Sequence, residues 1–179
     1  MKAADRVVVL DRDGTLVIDR GYLGDPDGLE FEPDAAAGLQ WLYSHGYRLV
    51  VASNQSGVGR GLFTLEHLAS MNARLNAMVE ALGARLEGIY CCPHAPDAGC
   101  ACRKPAPGLL LQAASDLGFN PESAVVIGDK ESDVEFGRSA GATTIRIAAD
   151  GPGAPAGTRP DFIAANLLEA AQIITSRRR

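Results

Sequence analysis

Short apolar runs rich in β-branched residues recur at 7–10, 47–52, 88–91, 124–127 and 143–148, separated by turn residues or helical patterns. Each run has the length of one strand. Between the runs, apolar positions return every three or four residues. From Asp34 to His45 they fall at Leu39, Leu42 and Tyr43 ahead of Gly46, the pattern of an amphipathic helix with a glycine stop. From Thr64 to Leu82, the residues Leu65, Leu68, Met71, Leu75, Met78, Val79 and Leu82 hold one face of a longer helix, and core packing accounts for that stripe. Pro107 to Leu117 opens on proline and ends before Gly118, Glu131 to Ala140 is a further helix, and 166–175 is the last, after Asp161-Phe162-Ile163. Strand and helix alternate throughout, which predicts an α/β fold with a doubly wound, mainly parallel sheet. Asp150 to Pro160 is too rich in glycine and proline for regular structure.

In open parallel sheets, ligands bind beyond the carboxyl ends of the strands, where helix N-termini point inward. That rule selects residues. Asp11 and Asp13 follow the first strand on a Gly14 turn, Ser53-Asn54-Gln55 end the second, and Gly128-Asp129-Lys130 follow the run at 124–127. Lys104 lies just ahead of the helix at Pro107. A carboxylate at a strand end is an adequate nucleophile toward phosphorus once a divalent cation screens its charge, and a second acid beside it can move the proton. Asp11 and Asp129 supply oxygens for Mg²⁺, Ser53 a hydroxyl hydrogen bond, and Lys104 a fixed positive charge. Singly, each has a plainer explanation: the Asp pair as a polar turn, Ser53 as a turn cap, Lys104 as a solvated charge, Asp129 as a helix cap. Their joint position at one rim favours phosphoryl transfer.

A second cluster is Cys92-Pro93-His94 followed by Cys100-Ala101-Cys102. Three thiolates and an imidazole suit tetrahedral Zn²⁺ with no open position, so a zinc loop at 92–102 is expected to be structural rather than catalytic; buried unpaired thiols are the alternative. Cys91 continues its strand and reads as a small core residue. Cys102 immediately precedes Arg103 and Lys104, so the loop is positioned to hold two cations at the rim.

The remaining properties narrow the function. A chain of 179 residues fits one domain over 1–179, and a net charge of -5, from 17 basic and 22 acidic residues, offers no basic face for nucleic acid. No apolar stretch is long enough for a membrane span, and Met1 to Asp5 has no signal-peptide character, so a cytoplasmic protein is expected. No surface helix shows an unassigned apolar stripe, and a monomer is expected. Arg177-Arg178-Arg179 reads as a solvated terminus in preference to an anion-binding handle.

Through Asp11-x-Asp13-Gly14-Thr15, Ser53 after a strand, Lys104 before a helix and Gly128-Asp129-x-x-x-Asp133, the chain resembles the haloacid dehalogenase (HAD) superfamily of phosphatases. The resemblance spans about residues 5–150 and implies a HAD-like Rossmannoid fold. It implies that Asp11 is the nucleophile forming an aspartyl-phosphate, and that Asp13 protonates the leaving oxygen and later activates water. Ser53 and Lys104 would stabilise the phosphoryl group. Mg²⁺ would be held by Asp11, the main-chain carbonyl of Asp13, and Asp129, with Asp133 supporting Lys104 or the outer shell of the metal. Threonine is frequent where this chain has Ser53, and serine keeps the hydroxyl. Many members carry a cap domain of several dozen residues, for which Asp19 to Pro33 and residues 54–87 leave no room.

Without a separate cap, specificity falls to loops: Asp19-Arg20-Gly21-Tyr22, Asn54-Gln55-Ser56 and Arg103, with Arg12 and Lys130 as further substrate contacts. Those loops, with Gly57-Val58-Gly59-Arg60-Gly61, resemble the phosphatases that remove the 7-phosphate of D-glycero-D-manno-heptose 1,7-bisphosphate, a small-molecule sugar bisphosphate on the way to nucleotide-activated heptose for bacterial surface polysaccharide. Histidinol-phosphate phosphatases share the zinc motif and are the competing enzyme reading. A catalytically inactive phospho-ligand binding protein is the reading of another class.

Overall fold

The computed structural model describes residues 6–148 and 157–176. The strands β1 (Val7–Leu10), β2 (Arg48–Asn54), β3 (Leu86–Cys92), β4 (Val125–Gly128), β5 (Thr143–Ile147) and β6 (Phe162–Ala164) form one sheet in the order β3-β2-β1-β4-β5-β6. Every pairing is parallel. The order runs outward from β1 in both directions, so the sheet is doubly wound and its switch point lies between β1 and β4.

Side chains alternate across a strand, and β1 shows what that requires of a sheet covered on both faces. Val8 and Leu10 enter one apolar layer with Leu39, Leu42, Met71, Leu75 and Leu167. These come from α1 (Ala35–Ser44), α3 (Leu65–Ala81) and α6 (Leu167–Ser176). Val7 and Val9 enter the other layer, with Leu109, Leu110 and Phe136 from α4 (Gly108–Leu117) and α5 (Glu131–Ser139). All four β1 residues are buried, which a strand alternating apolar with polar residues would not tolerate. Where α1 meets α6, a Cβ on Gly38 would come within 2.8 Å of the Leu167 backbone, so the closeness of that crossing depends on glycine.

Two residues of the predicted apolar stripes face outward. Leu65 is 59% exposed because it opens α3, before the helix has turned onto the sheet, whereas Leu68, Met71, Leu75 and Val79 are buried. Tyr43 is 43% exposed at the edge of a stripe formed instead by Ala35, Gly38, Leu39 and Leu42. Sequence periodicity also missed α2 (Ser56–Gly59), one short turn of helix after β2, and the brief strand β6. Most of the Gly/Pro-rich segment, and Arg177 to Arg179, lie outside the described residues.

No separate cap interrupts the described residues. The segment between β1 and α1 carries only a 3₁₀ turn at Pro26–Gly28 and isolated bridges from Val17 to Asp13 and Phe31, while α2 and α3 occupy the stretch between β2 and β3. No helix among the described residues is long and apolar enough to cross a membrane.

Candidate active site

The carboxyl ends of β1, β2 and β4 bring the predicted rim residues together. Beyond β1 the Asp11 amide still bonds to Ile127 of β4 at 2.9 Å, holding the nucleophile candidate at the switch point. The chain then turns through Gly14 at φ +87°, where a Cβ would lie 2.6 Å from Asp129 Oδ2. Glycine is therefore required twice, by the left-handed backbone and by the close approach of Asp129.

Lys104 is the buried cation of the site. Its Nζ donates to Asp11 Oδ1 at 2.6 Å, Asp133 Oδ1 at 2.6 Å and the Ala52 carbonyl at 2.8 Å, which uses all three ammonium hydrogens. Burial works against its charge, but the Asp11 and Asp133 carboxylates prevail and raise its pKa. Asp133 moves upward through burial and the charge of Asp11, despite the opposing pull of Lys104. Asn54 fixes the lysine backbone from β2, donating through Nδ2 to the Lys104 carbonyl and accepting from the Lys104 amide, both at 3.0 Å. That two-point contact makes Asn54 a framework residue.

Asp11, Asp129 and Asp133 place one oxygen each within 4.8 Å of the others. Such an all-oxygen set fits a hard divalent cation. The unbalanced charge is visible in Asp129, whose pKa is pushed up to about 6 by burial and then by Asp11, with Lys130 opposing. A cation among these oxygens would relieve that repulsion.

Asp13 is held from the side. Arg12 reaches it through Nε at 3.1 Å and Nη2 at 3.1 Å, and Gln55 donates to its Oδ2 at 2.7 Å. Ser53 Oγ accepts from the same Gln55 nitrogen at 2.7 Å, which leaves the serine hydroxyl hydrogen to point elsewhere. Arg12 departs from its predicted role as a substrate contact. At 2% exposure it is buried against Asp13 and Gln55, because the arginine must fold inward to match the charge of its neighbour.

A cavity of about 400 Å³ opens beside Asp13. Of the predicted contacts, Asp19, Gly21, Tyr22, Asn54, Gln55, Ser56, Arg103 and Lys130 line it. Gly57, marked in the sequence only by the motif that carries the resemblance, and Ser132, which no sequence signal marked, also line it. Arg20 does not line it. Its Nη2 pairs with Glu30 at 2.7 Å on the exposed side of the loop, because Asp19 caps the Gly21 amide at 2.9 Å and the turn sends Arg20 outward. Lys130 is answered by Asp19 at 3.0 Å across the cavity. Burial opposes ionisation of Asp19, but the Gly21 amide and Lys130 lower its pKa. Arg60 lies 5.6 Å from the centre of the Tyr22 ring, tying this loop to the end of α2. Arg103 brings a guanidinium to the cavity, and its buried Nη1 has no hydrogen-bond partner.

The four predicted zinc ligands converge as well. Cys92 Sγ lies 3.5 Å from His94 Nδ1 and from Cys100 Sγ, and Cys102 Sγ lies 3.2 Å from both Cys92 Sγ and His94 Nδ1. Tetrahedral bonds of about 2.3 Å to sulfur imply edges of about 3.8 Å, so this S₃N set fits Zn²⁺ after a few tenths of an ångström of expansion. Cys91 stands apart, with Asn72 Nδ2 at 3.7 Å from its sulfur and its thiol pKa raised by burial. The loop packs on α2, where the Gly59 amide donates to the Pro93 carbonyl at 2.8 Å.

Comparison with known proteins agrees with this geometry. The HAD-hydrolase-like family profile matches residues 101–170. The chain is 41% identical over 141 residues to D-glycero-beta-D-manno-heptose-1,7-bisphosphate 7-phosphatase of Helicobacter pylori strain J99, covering 78% of this chain and 81% of that protein. It is 38% identical to the protein of the same name from Pasteurella multocida strain Pm70, covering 75% of this chain and 77% of that one. Among solved structures, D,D-heptose 1,7-bisphosphate phosphatase from B. bronchiseptica, complexed with magnesium and phosphate, superposes with a TM-score of 0.84 at 28% identity, over 96% of this chain and 99% of that one.

Proposed function

Because this chain belongs to the HAD superfamily of phosphoric monoester hydrolases, in the family of the heptose bisphosphate phosphatases, we propose that it removes the 7-phosphate of D-glycero-D-manno-heptose 1,7-bisphosphate. One observation carries the choice of a bisphosphate: the cationic side chains of Arg103 and Lys130 line one cavity with Asp13. A substrate with phosphate at both ends satisfies both halves of such a cavity.

In this reading the 7-phosphate sits over Asp11. Asp11 attacks phosphorus and becomes an aspartyl-phosphate while Asp13 gives a proton to the leaving sugar oxygen. Asp13 then takes a proton from water, which attacks the aspartyl-phosphate and frees Asp11. The positive charge of Lys104 and the Ser53 hydroxyl stabilise the phosphoryl oxygens, and Asp133 holds Lys104 in place. Mg²⁺, held by Asp11, Asp129 and the main-chain carbonyl of Asp13, would screen the charge that opposes the approach of phosphate to a carboxylate. Zn²⁺ on Cys92, His94, Cys100 and Cys102 would fix the loop that carries Arg103 and Lys104. In this reading the chain acts as one phosphatase domain that carries the zinc loop at 92–102 beyond its edge strand β3.

The test is kcat/KM with Mg²⁺ for both anomers of heptose 1,7-bisphosphate, for histidinol phosphate and for a simple sugar monophosphate, in the wild type and in Arg103→Ala. We expect the wild type to prefer a heptose bisphosphate, and Arg103→Ala to lose much more on the bisphosphate than on the monophosphate. Preference for histidinol phosphate overturns the substrate assignment, and equal losses overturn the role of Arg103.

A further inference from the structure

Arg12, Gln55, Asp13 and Ser53 form a connected hydrogen-bonded set at the buried edge of the cavity. Arg12 Nη2 donates to Gln55 Oε1 at 2.9 Å and to Asp13 Oδ1 at 3.1 Å. Gln55 Nε2 donates one hydrogen to Asp13 and the other to Ser53 Oγ, both at 2.7 Å. Both amide hydrogens are thereby spent, and Gln55 and Arg12 are 5% and 2% exposed. Gln55 therefore has no amide hydrogen left for a sugar, and of the Arg12 guanidinium only the buried Nη1 is without a partner. The geometry also needs an amide at position 55, with its oxygen toward a guanidinium and its nitrogen toward a carboxylate. A glutamate there would face Asp13 oxygen to oxygen, and a leucine would offer it nothing.

We propose that Arg12 and Gln55 are positioning residues that hold Asp13 in the rotamer from which it exchanges a proton with the leaving oxygen. An aspartate free about its two torsions spends much of its time out of line with that oxygen, and a donor fork on one side with an amide on the other removes this freedom before substrate arrives. Gln55 further ties the proton donor to the phosphate-binding hydroxyl of Ser53, so the two keep a fixed spacing. The inference rests on the acid role of Asp13 given above.

The experiment uses phosphate monoesters whose leaving groups run from a nitrophenolate through phenolate to a primary alkoxide. A nitrophenolate departs without a proton and an alkoxide does not, so kcat/KM across the series reports proton delivery in the first chemical step. Asp13→Asn should lose far more on the alkyl ester than on the nitrophenyl ester. Gln55→Leu and Gln55→Glu should show the same pattern more weakly, about 10²-fold on the alkyl ester and under about tenfold on the nitrophenyl ester. The ratio of the two losses does not depend on the fraction of correctly folded enzyme, so partial misfolding of a variant cannot imitate it. If Asp13→Asn discriminates between leaving groups and both Gln55 variants lose the same factor on all of them, the clamp is refuted while the acid role stands. If Asp13→Asn itself loses equally on every ester, the acid role fails and the clamp with it.

Discussion

Replacing Asp129 with asparagine removes a carboxylate whose pKa stands at about 6 in the fold against an ordinary 3.8, raised by burial and then by the charge of Asp11. Between those two values the folded protein holds a proton that the unfolded chain has already released. Stability therefore falls as pH rises through this window, and is flat above it. At about 1.4 kcal/mol per pH unit the gap is worth about 3 kcal/mol, and the partial solvent exposure of the side chain reduces this to about 2 kcal/mol. Without magnesium, the wild type should lose that amount between pH 4 and 6.5, and Asp129→Asn should not. Urea unfolding followed by the fluorescence of Trp41, the single tryptophan, measures the difference from pH 4.5 to 8. Magnesium is omitted and no chelator is added, so that any metal on the Cys/His cluster is kept, and any protonation of that shared cluster cancels between the two proteins. The curves should approach each other at the acid end, separate as pH rises to 6.5 and stay parallel above it, with the variant about 2 kcal/mol more stable. Magnesium should then reverse the order by stabilising more strongly the protein that keeps the charged carboxylate ligand. A difference that does not change with pH, or a more stable wild type above pH 6.5 without magnesium, would refute the electrostatic account.

Lys104→Met should cost about 3 to 5 kcal/mol in equilibrium unfolding at neutral pH, because two buried carboxylates lose their shared cation. The loss should ease on acidification as one of them protonates, phosphate release should fall by about 10³-fold, and a cost below about 1 kcal/mol contradicts the buried triad. Cys102→Ser should reduce zinc content in metal analysis, lower the thermal midpoint and raise KM for the bisphosphate more than it lowers kcat, since Arg103 follows Cys102 directly. An unchanged KM in zinc-depleted protein would separate the loop from substrate binding.

The Asp129 argument shows where sequence reading stops. The residue and its place at a strand end are legible in Gly128-Asp129-Lys130, but its raised proton affinity depends on its burial and then on Asp11, 118 positions away by residue number, arriving at the same rim. Arg12 is a sharper case. Its position between the two candidate catalytic carboxylates suggests a cation facing substrate, and only the packed structure shows it turned inward to Gln55. Arg20 and Lys130 differ for a similar reason: both are basic residues beside the cavity, yet a turn at Gly21 sends one toward Glu30 and a contact with Asp19 holds the other across the opening.

The amino-acid sequence by itself determined the alternation of strands and helices, the choice of strand ends as the site, and the two donor sets of Asp and of Cys/His. Each of these is written in local periodicity or in the spacing of residue types, which the polypeptide imposes without knowledge of distant partners. Tertiary structure alone decided which cations are buried, which amide contacts Asp13, and which loop residues see the cavity. Those outcomes follow from distances between segments far apart in the chain, and hydrogen bonding and charge act on distance in space.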